Sequence, residues 1–221
     1  LSPSSAASDV YKRQLLKMEG KLMLKNIIFD FGNVIMNYNP DEILNHYELS
    51  PEDHDLVRKT IFKSKEWGEI DSGKITEEEA TEIFTSKVPE KLKSKVKQIM
   101  ATWPENVDFY EPVFNYMEEL RKQGYKIYGL SNTGMQFANF VKNSEMGNYF
   151  DGYVFSAQEK LMKPDRRIYE RLIARYILNP EESIFIDDLK ANTDAAKKLG
   201  MLAFTFKIDK LGELQEYISS H

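Results

Sequence analysis

The sequence predicts an α/β protein built on a parallel sheet, and three observations carry that expectation. Short, wholly apolar runs recur along the chain, and three of them end in polar residues. Helical periodicity separates one run from the next. The stretch from Pro40 to Pro104 alone breaks the alternation, being helical throughout. A strand that is apolar on both faces needs cover on both faces, and helices packed on either side of a parallel sheet provide it.

The first run is Asn26-Ile27-Ile28-Phe29-Asp30, followed by a Gly32-Asn33 turn and then Val34-Ile35-Met36. Segments 41–48, 52–63, 76–86 and 90–102 read as amphipathic helices rich in Lys and Glu. Ser50-Pro51, and Thr76 ahead of Glu77-Glu78-Glu79, mark two of their starts, since a hydroxyl before Pro or an acidic first turn satisfies free backbone N–H groups. Glu77 to Glu79 is expected to face water. Trp67 to Gly73 reads as a glycine-flanked loop, with Gly68, Glu69 and Asp71 placed to fold over a site and set specificity. A plain helix connector explains the same residues. His46 and His54 are expected to be solvated, and Trp67 and Trp103 to serve packing rather than ligand stacking.

Alternation resumes with Val113, Met117 and Leu120 on one helix face, then a strand over Lys126–Ser131 and a helix over 134–143. A strand at Gly152–Ser156, a helix over 165–177 and a strand at Ser183–Asp187 follow. Ala191, Ala195 and Leu199 line a helix that Gly200 closes. A strand at Leu202–Phe206 and a helix over 210–219 complete the chain. The expected division is a core domain of residues 23–38 and 107–221, with an inserted helical domain over 39–106.

Residues 1–22 stand apart. LSPSSAASDVYKRQ has no apolar core of the kind a secretory signal needs, and it resembles a translated vector-derived tail. The expectation is a disordered or artefactual segment, with the natural start at Met18 or Met23.

Composition narrows the function classes. Of 221 residues, 42% are hydrophobic, enough for one core carrying an insertion, and the net charge is −5. A mildly acidic chain without a Lys/Arg run gives no electrostatic reason to expect nucleic acid. The absence of cysteine excludes disulfides and thiolate chemistry. No apolar run approaches bilayer length, so no membrane partner is expected. The expected setting is the cytoplasm, as a monomer or weak homodimer.

The chemistry sits at strand ends. In open parallel sheets, ligands bind beyond the carboxyl ends of the strands. Asp30, Ser131-Asn132 and Asp187-Asp188 all occupy such ends. Three carboxylates at the rim of a dry core repel one another unless a counter-charge is present. A hard divalent cation with oxygen ligands supplies it, and magnesium is the usual ion where phosphate also binds. Each piece has a plainer reading: Asp188 as a helix cap, Ser131-Asn132 as a turn, Lys163-Pro164 as a helix entry.

Taken in order, Phe29-Asp30-Phe31-Gly32-Asn33-Val34-Ile35, Leu130-Ser131-Asn132, Lys163-Pro164-Asp165 and Phe185-Ile186-Asp187-Asp188 resemble the four motifs of haloacid dehalogenase superfamily hydrolases, from about residue 24 onward. The resemblance implies a three-layer, Rossmann-like core with a helical cap, and phosphatase activity on a small phosphorylated metabolite. It implies Asp30 as a nucleophile that becomes an aspartyl phosphate. It also implies magnesium held by Asp30, the Gly32 carbonyl and Asp188, with Asp187 binding directly or through water. Ser131, Asn132 and Lys163 would then contact the phosphoryl group, and Asn192 would support the metal loop.

One departure stands out. Most phosphatases of this family carry a second Asp two residues after the nucleophile, as general acid and base, and here that position is Gly32. A missing acid/base typically slows a reaction 10²–10⁴-fold. Three readings follow: the leaving group needs no proton, a cap residue or water delivers one, or the chain is catalytically feeble. The Asp-x-Gly-Asn-Val form resembles a subgroup of sugar-1-phosphate phosphatases and the phosphatase domain of epoxide hydrolases, which points to a sugar phosphate. Two rivals are a 2-haloacid dehalogenase, which needs no metal, and a non-catalytic module that binds a phosphorylated ligand or a protein.

Overall fold

The computed structural model describes residues 23–221. The expected tail, residues 1–22 with Met18, lies outside the described residues. In chain order the strands are β1 (Asn26–Phe29), β2 (Met36–Asn37), β3 (Asp108–Phe109), β4 (Lys126–Ser131), β5 (Gly152–Phe155), β6 (Ser183–Asp187) and β7 (Leu202–Thr205). Five of them form a parallel sheet in the order β5-β4-β1-β6-β7, while β2 and β3 make a small antiparallel pair. That pair escapes sequence reasoning because two-residue strands carry no periodicity.

Helices cover both faces of the sheet. Alternation along each strand sends neighbouring side chains to opposite sides. Ile27, Phe29, Ile127, Ile184 and Ile186 face one layer, where Val113 and Met117 of helix α6 (Glu111–Lys122), Phe137 and Val141 of α7 (Met135–Asn143), and Leu214 of α11 (Leu211–Ser219) meet them. Ile28, Leu130, Val154 and Phe185 face the other. There they meet Ile168 and Leu172 of α9 (Arg166–Tyr176) and Ala196 of α10 (Lys190–Lys197). Each fully buried Ile, Leu or Phe here is worth roughly 1.5–3 kcal/mol relative to exposure. A short helix, α8 (Ser156–Glu159), follows β5 directly.

Between β2 and β3 the described chain is helical: α1 (Pro40–Asn45), α2 (Pro51–Thr60), α3 (Lys65–Asp71), α4 (Glu77–Ser86) and α5 (Glu90–Thr102). Asn39, Ser50, Ser64 and Thr76 cap the first four, each side chain accepting an N–H of the first turn. Such a cap typically stabilises by about 1 kcal/mol. Thr76 and Glu79 complete a reciprocal capping box.

Three expectations need correction. Trp67 to Asp71 is not a loop but most of α3. Gly68 in its interior costs about 1 kcal/mol of propensity, which hides the helix in the sequence, while burial of Trp67 and Ile70 favours it. Glu77 does not simply face water, because its carboxylate accepts the Gln136 N–H at 2.7 Å. His54 is half-buried, with its Nδ1 3.8 Å from an Asp41 carboxylate oxygen, whereas His46 is exposed.

Candidate active site

Strand register brings the site together. Phe29 lies opposite Gly129 of β4 on one side and opposite Ile186 of β6 on the other. The next residues along β1 and β6, Asp30 and Asp187, therefore leave adjacent strands side by side. The Asp30 N–H is held by the Ile186 carbonyl at 2.9 Å. One oxygen each from Asp30, Asp187 and Asp188 lies within 4.8 Å of the others. Residues 157 positions apart in the chain thus share one end of the sheet.

Lys163 completes the centre. Its ammonium donates to Asp30 and to Asp187 at 2.7 Å each, and to the Leu130 carbonyl at 3.0 Å. An ammonium has three protons to donate, and all three are used. Burial works against the Lys163 charge, but the two carboxylates outweigh it and its pKa is raised. Asp30 is buried and its pKa is pushed well above the usual carboxylate range. Burial is the main cause, Lys163 opposes it and Asp187 adds to it. Asp188 is raised too, chiefly by burial.

The loop after β6 is held from several sides. Asn192 Nδ2 donates to both Asp187 oxygens, at 2.9 and 3.0 Å, and the Leu189 N–H donates to the same carboxylate at 2.8 Å. The Tyr169 hydroxyl donates to the Asn192 carbonyl at 3.0 Å. Across the site, Asn33 sits in the left-handed region at φ 56° and its Nδ2 donates to Asp188 at 3.1 Å. Sequence reasoning gives Asn33 only as part of a turn and misses this role. The Gly-Asn turn is the signal that marks it, since Asn tolerates that conformation better than most residues.

Asn132 departs from its expected contact in one respect. Its side-chain amide is committed to the Lys163 backbone, Nδ2 donating to the carbonyl at 2.9 Å and Oδ1 accepting the N–H at 2.8 Å. The side chain thus joins the loop after β4 to the loop that carries Lys163.

These residues line a cavity of about 270 Å³ between the sheet end and the helical segment. Asp30, Gly32, Asn33, Ser131, Asn132, Lys163, Asp188 and Asn192 form its floor, with Tyr38, Trp67, Asp71, Trp103 and Leu189 also on its wall. Trp67 and Trp103 pack on each other with ring centroids 5.3 Å apart, so packing and cavity lining coexist. Gly68 and Glu69 are not on this wall. Positions four apart share a helix face, so Trp67 and Asp71 turn inward together while Gly68 and Glu69 turn away. A larger groove of about 980 Å³ runs along the same seam past Thr76, Glu77 and Met135, but carries none of the strand-end carboxylates.

The haloacid dehalogenase-like hydrolase family matches residues 27–205. The chain belongs to that family. It is a hydrolase of the phosphatase type. A sesquiterpene phosphatase of Aspergillus oryzae is 28% identical over 80% of this chain and 87% of its own length. A D-ribitol-5-phosphate phosphatase of Bacteroides thetaiotaomicron is 27% identical over 82% of this chain and 91% of its own. In structure, this haloacid dehalogenase-like hydrolase resembles a family enzyme of Bacteroides thetaiotaomicron crystallised with magnesium and inorganic phosphate. The TM-score is 0.63 at 24% identity, covering 83% of this chain and 94% of that one. Among the described residues no helix is long and apolar enough to cross a membrane.

Proposed function

We propose that this chain is a magnesium-dependent phosphomonoester hydrolase that works through an aspartyl phosphate on Asp30. One observation carries the reading: three carboxylates converge at a sheet end, and Lys163 bonds only Asp30 and Asp187 among them. Two of the three have pKa values raised by burial, a sign that the cluster wants more positive charge than Lys163 provides. Hard oxygen donors in that arrangement fit magnesium. Asp30, Asp188 and the Gly32 carbonyl would hold the ion. The Asp187 oxygens already accept from Lys163, Asn192 and Leu189, which favours a water-mediated role for it. When bound, magnesium would neutralise charge on the phosphoryl oxygens and keep Asp30 ionised.

In this reading the chain's own groups do the rest. Asp30, fixed by the Phe31 N–H at 2.8 Å, attacks phosphorus. Ser131 and the main chain at Asn132 receive the phosphoryl oxygens, and the Lys163 ammonium, bonded to Asp30, balances their charge. Asn192 and Asn33 hold Asp187 and Asp188 in place, and the segment over residues 39–106 acts as the cap of a core made by 23–38 and 107–221. A cavity near 270 Å³ with a carboxylate and aromatic edges on its wall suits a small polar alcohol better than a long terpenoid, which favours a sugar or polyol phosphate. The ribitol phosphate specificity named for one relative points the same way.

The test is hydrolysis of p-nitrophenyl phosphate with magnesium and with chelator, comparing the native chain with Asp30→Asn. Activity that requires both the metal and Asp30 is the expected result. Metal-independent release of halide from a 2-haloacid would instead establish the dehalogenase, and phosphate binding without turnover would establish a binding module.

A further inference from the structure

We propose that Asp71, at the end of α3 in the helical segment, is the general acid that Gly32 cannot be. This rests on the phosphatase reading above. Asp71 lies on the wall of the cavity that holds Asp30, opposite the strand-end floor where a phosphoryl group would sit. A leaving group attached to that phosphorus points away from the sheet and toward this wall.

Asp71 is held there through the loop after β4 and through Ser156. The Gly134 main chain, two residues beyond Asn132, lies against its carboxylate and favours the ionised form. The Ser156 hydroxyl donates to its main-chain carbonyl. Ser156 also accepts the Thr133 N–H at 2.8 Å, so one hydroxyl ties α3 to the loop after β4. The acid is therefore positioned against the loop expected to bind phosphate, although it belongs to another part of the chain.

The surroundings favour the protonated form. Burial pushes the Asp71 pKa up to about 7, the Gly134 main chain opposes the shift and Glu77 of α4 adds to it. The other charged groups on the same cavity are Asp30, Asp188 and Lys163. Tyr38 also lines it, and its hydroxyl is buried without a hydrogen-bond partner among the described residues. A carboxyl group that titrates near the working pH is suited to give and take a proton.

The proton balance is complete. An Asp30 oxygen bonds to phosphorus as the bond from phosphorus to the leaving oxygen breaks. That oxygen takes the Asp71 proton and departs as the alcohol. Asp71, now ionised, accepts a proton from water while the water oxygen attacks the aspartyl phosphate. The bond from phosphorus to Asp30 breaks, phosphate leaves and Asp71 is protonated again.

Asp71→Asn tests the idea cleanly, because the amide keeps the size and shape of the carboxylate but carries no usable proton. The probes are phenyl phosphate and p-nitrophenyl phosphate, similar in size but different in need of protonation. In single-turnover experiments with magnesium, Asp71→Asn should slow phenol release about 10²-fold or more and p-nitrophenol release less than about 10-fold. Protein-bound phosphate should then accumulate on Asp30. Adding Gly32→Asp to Asp71→Asn should restore phenyl phosphate turnover. A Cβ at Gly32 would lie 3.7 Å from Tyr38 Cβ, an ordinary contact. Equal slowing of both substrates, or slowing of neither, would overturn the assignment of Asp71 while leaving the phosphatase reading intact. A native chain inactive on both substrates would overturn the phosphatase reading and this assignment with it.

Discussion

Lys163 and Asp187 form an ion pair at 2.7 Å in which the lysine side chain is 1% exposed and the aspartate fully buried. The same ammonium reaches Asp30. Two carboxylates of adjacent strands thus depend on one cation that comes from a loop between β5 and α9.

Lys163→Met should therefore harm folding as well as activity. Removing one partner of a buried ion pair leaves uncompensated charge and typically costs about 3–5 kcal/mol. Urea unfolding in chelator, where no metal substitutes for the ammonium, should show a loss of that order. A loss under about 1 kcal/mol would mean that the two carboxylates do not rely on Lys163.

The Asn192 amide bonds both Asp187 oxygens, and Asn33 bonds Asp188. Neither amide is expected to touch phosphate, so their loss should act on the metal. Asn192→Ala and Asn33→Gly should each raise the magnesium concentration for half-maximal activity by roughly 10–100-fold. Glycine is the choice at 33 because the φ of 56° is strained for most other residues. Unchanged magnesium dependence in both variants would remove these residues from the site's support.

The strand ends were legible because their signal is local: an apolar run, then a polar residue. Register then does the assembly, and a parallel sheet with β1 at its centre leaves Asp30 beside Asp187 whatever lies between them in sequence. The α3 helix was not legible, because it holds only seven residues around a glycine and is stabilised by packing rather than propensity. Nor were the tasks of Asn33 and Asn132. Their partners lie 155 and 31 positions away, beyond any window in which a pattern is visible. Asp71 was placed near the site but with the wrong companions, since a loop reading gives Glu69 equal standing and a helix does not.

The two glycines that suggested a loop make opposite demands. Gly73 has φ +67°, and a Cβ there would come 2.3 Å from the Ala157 carbonyl oxygen, so the end of α3 seats directly on the backbone of α8. Gly68 sits in open space within the helix. Gly73→Ala should lower the melting temperature and disturb turnover by moving Asp71. Gly68→Ala should instead stabilise by about 0.5–1 kcal/mol, the usual gain of alanine over glycine in a helix interior. Thermal unfolding of both variants checks the pair, and matching shifts would contradict the helix.

The raised pKa of Asp71 carries a signature in stability that is separate from catalysis. The folded state holds the proton up to about pH 7, against an ordinary value of 3.8. Between those values the folded protein binds more protons than the unfolded chain, so this group makes stability fall as pH rises. The penalty is absent below about pH 4 and complete above about pH 7. Asp71→Asn has no charge to bury, and relative to the native chain it should gain stability from pH 5 to about pH 7 and then hold that gain to pH 8. Urea unfolding of both proteins in metal-free buffer at pH 5 and pH 8 measures the difference. A stability gap that stays constant, or that widens in favour of the native chain at pH 8, would show that Asp71 is ionised without penalty in the fold.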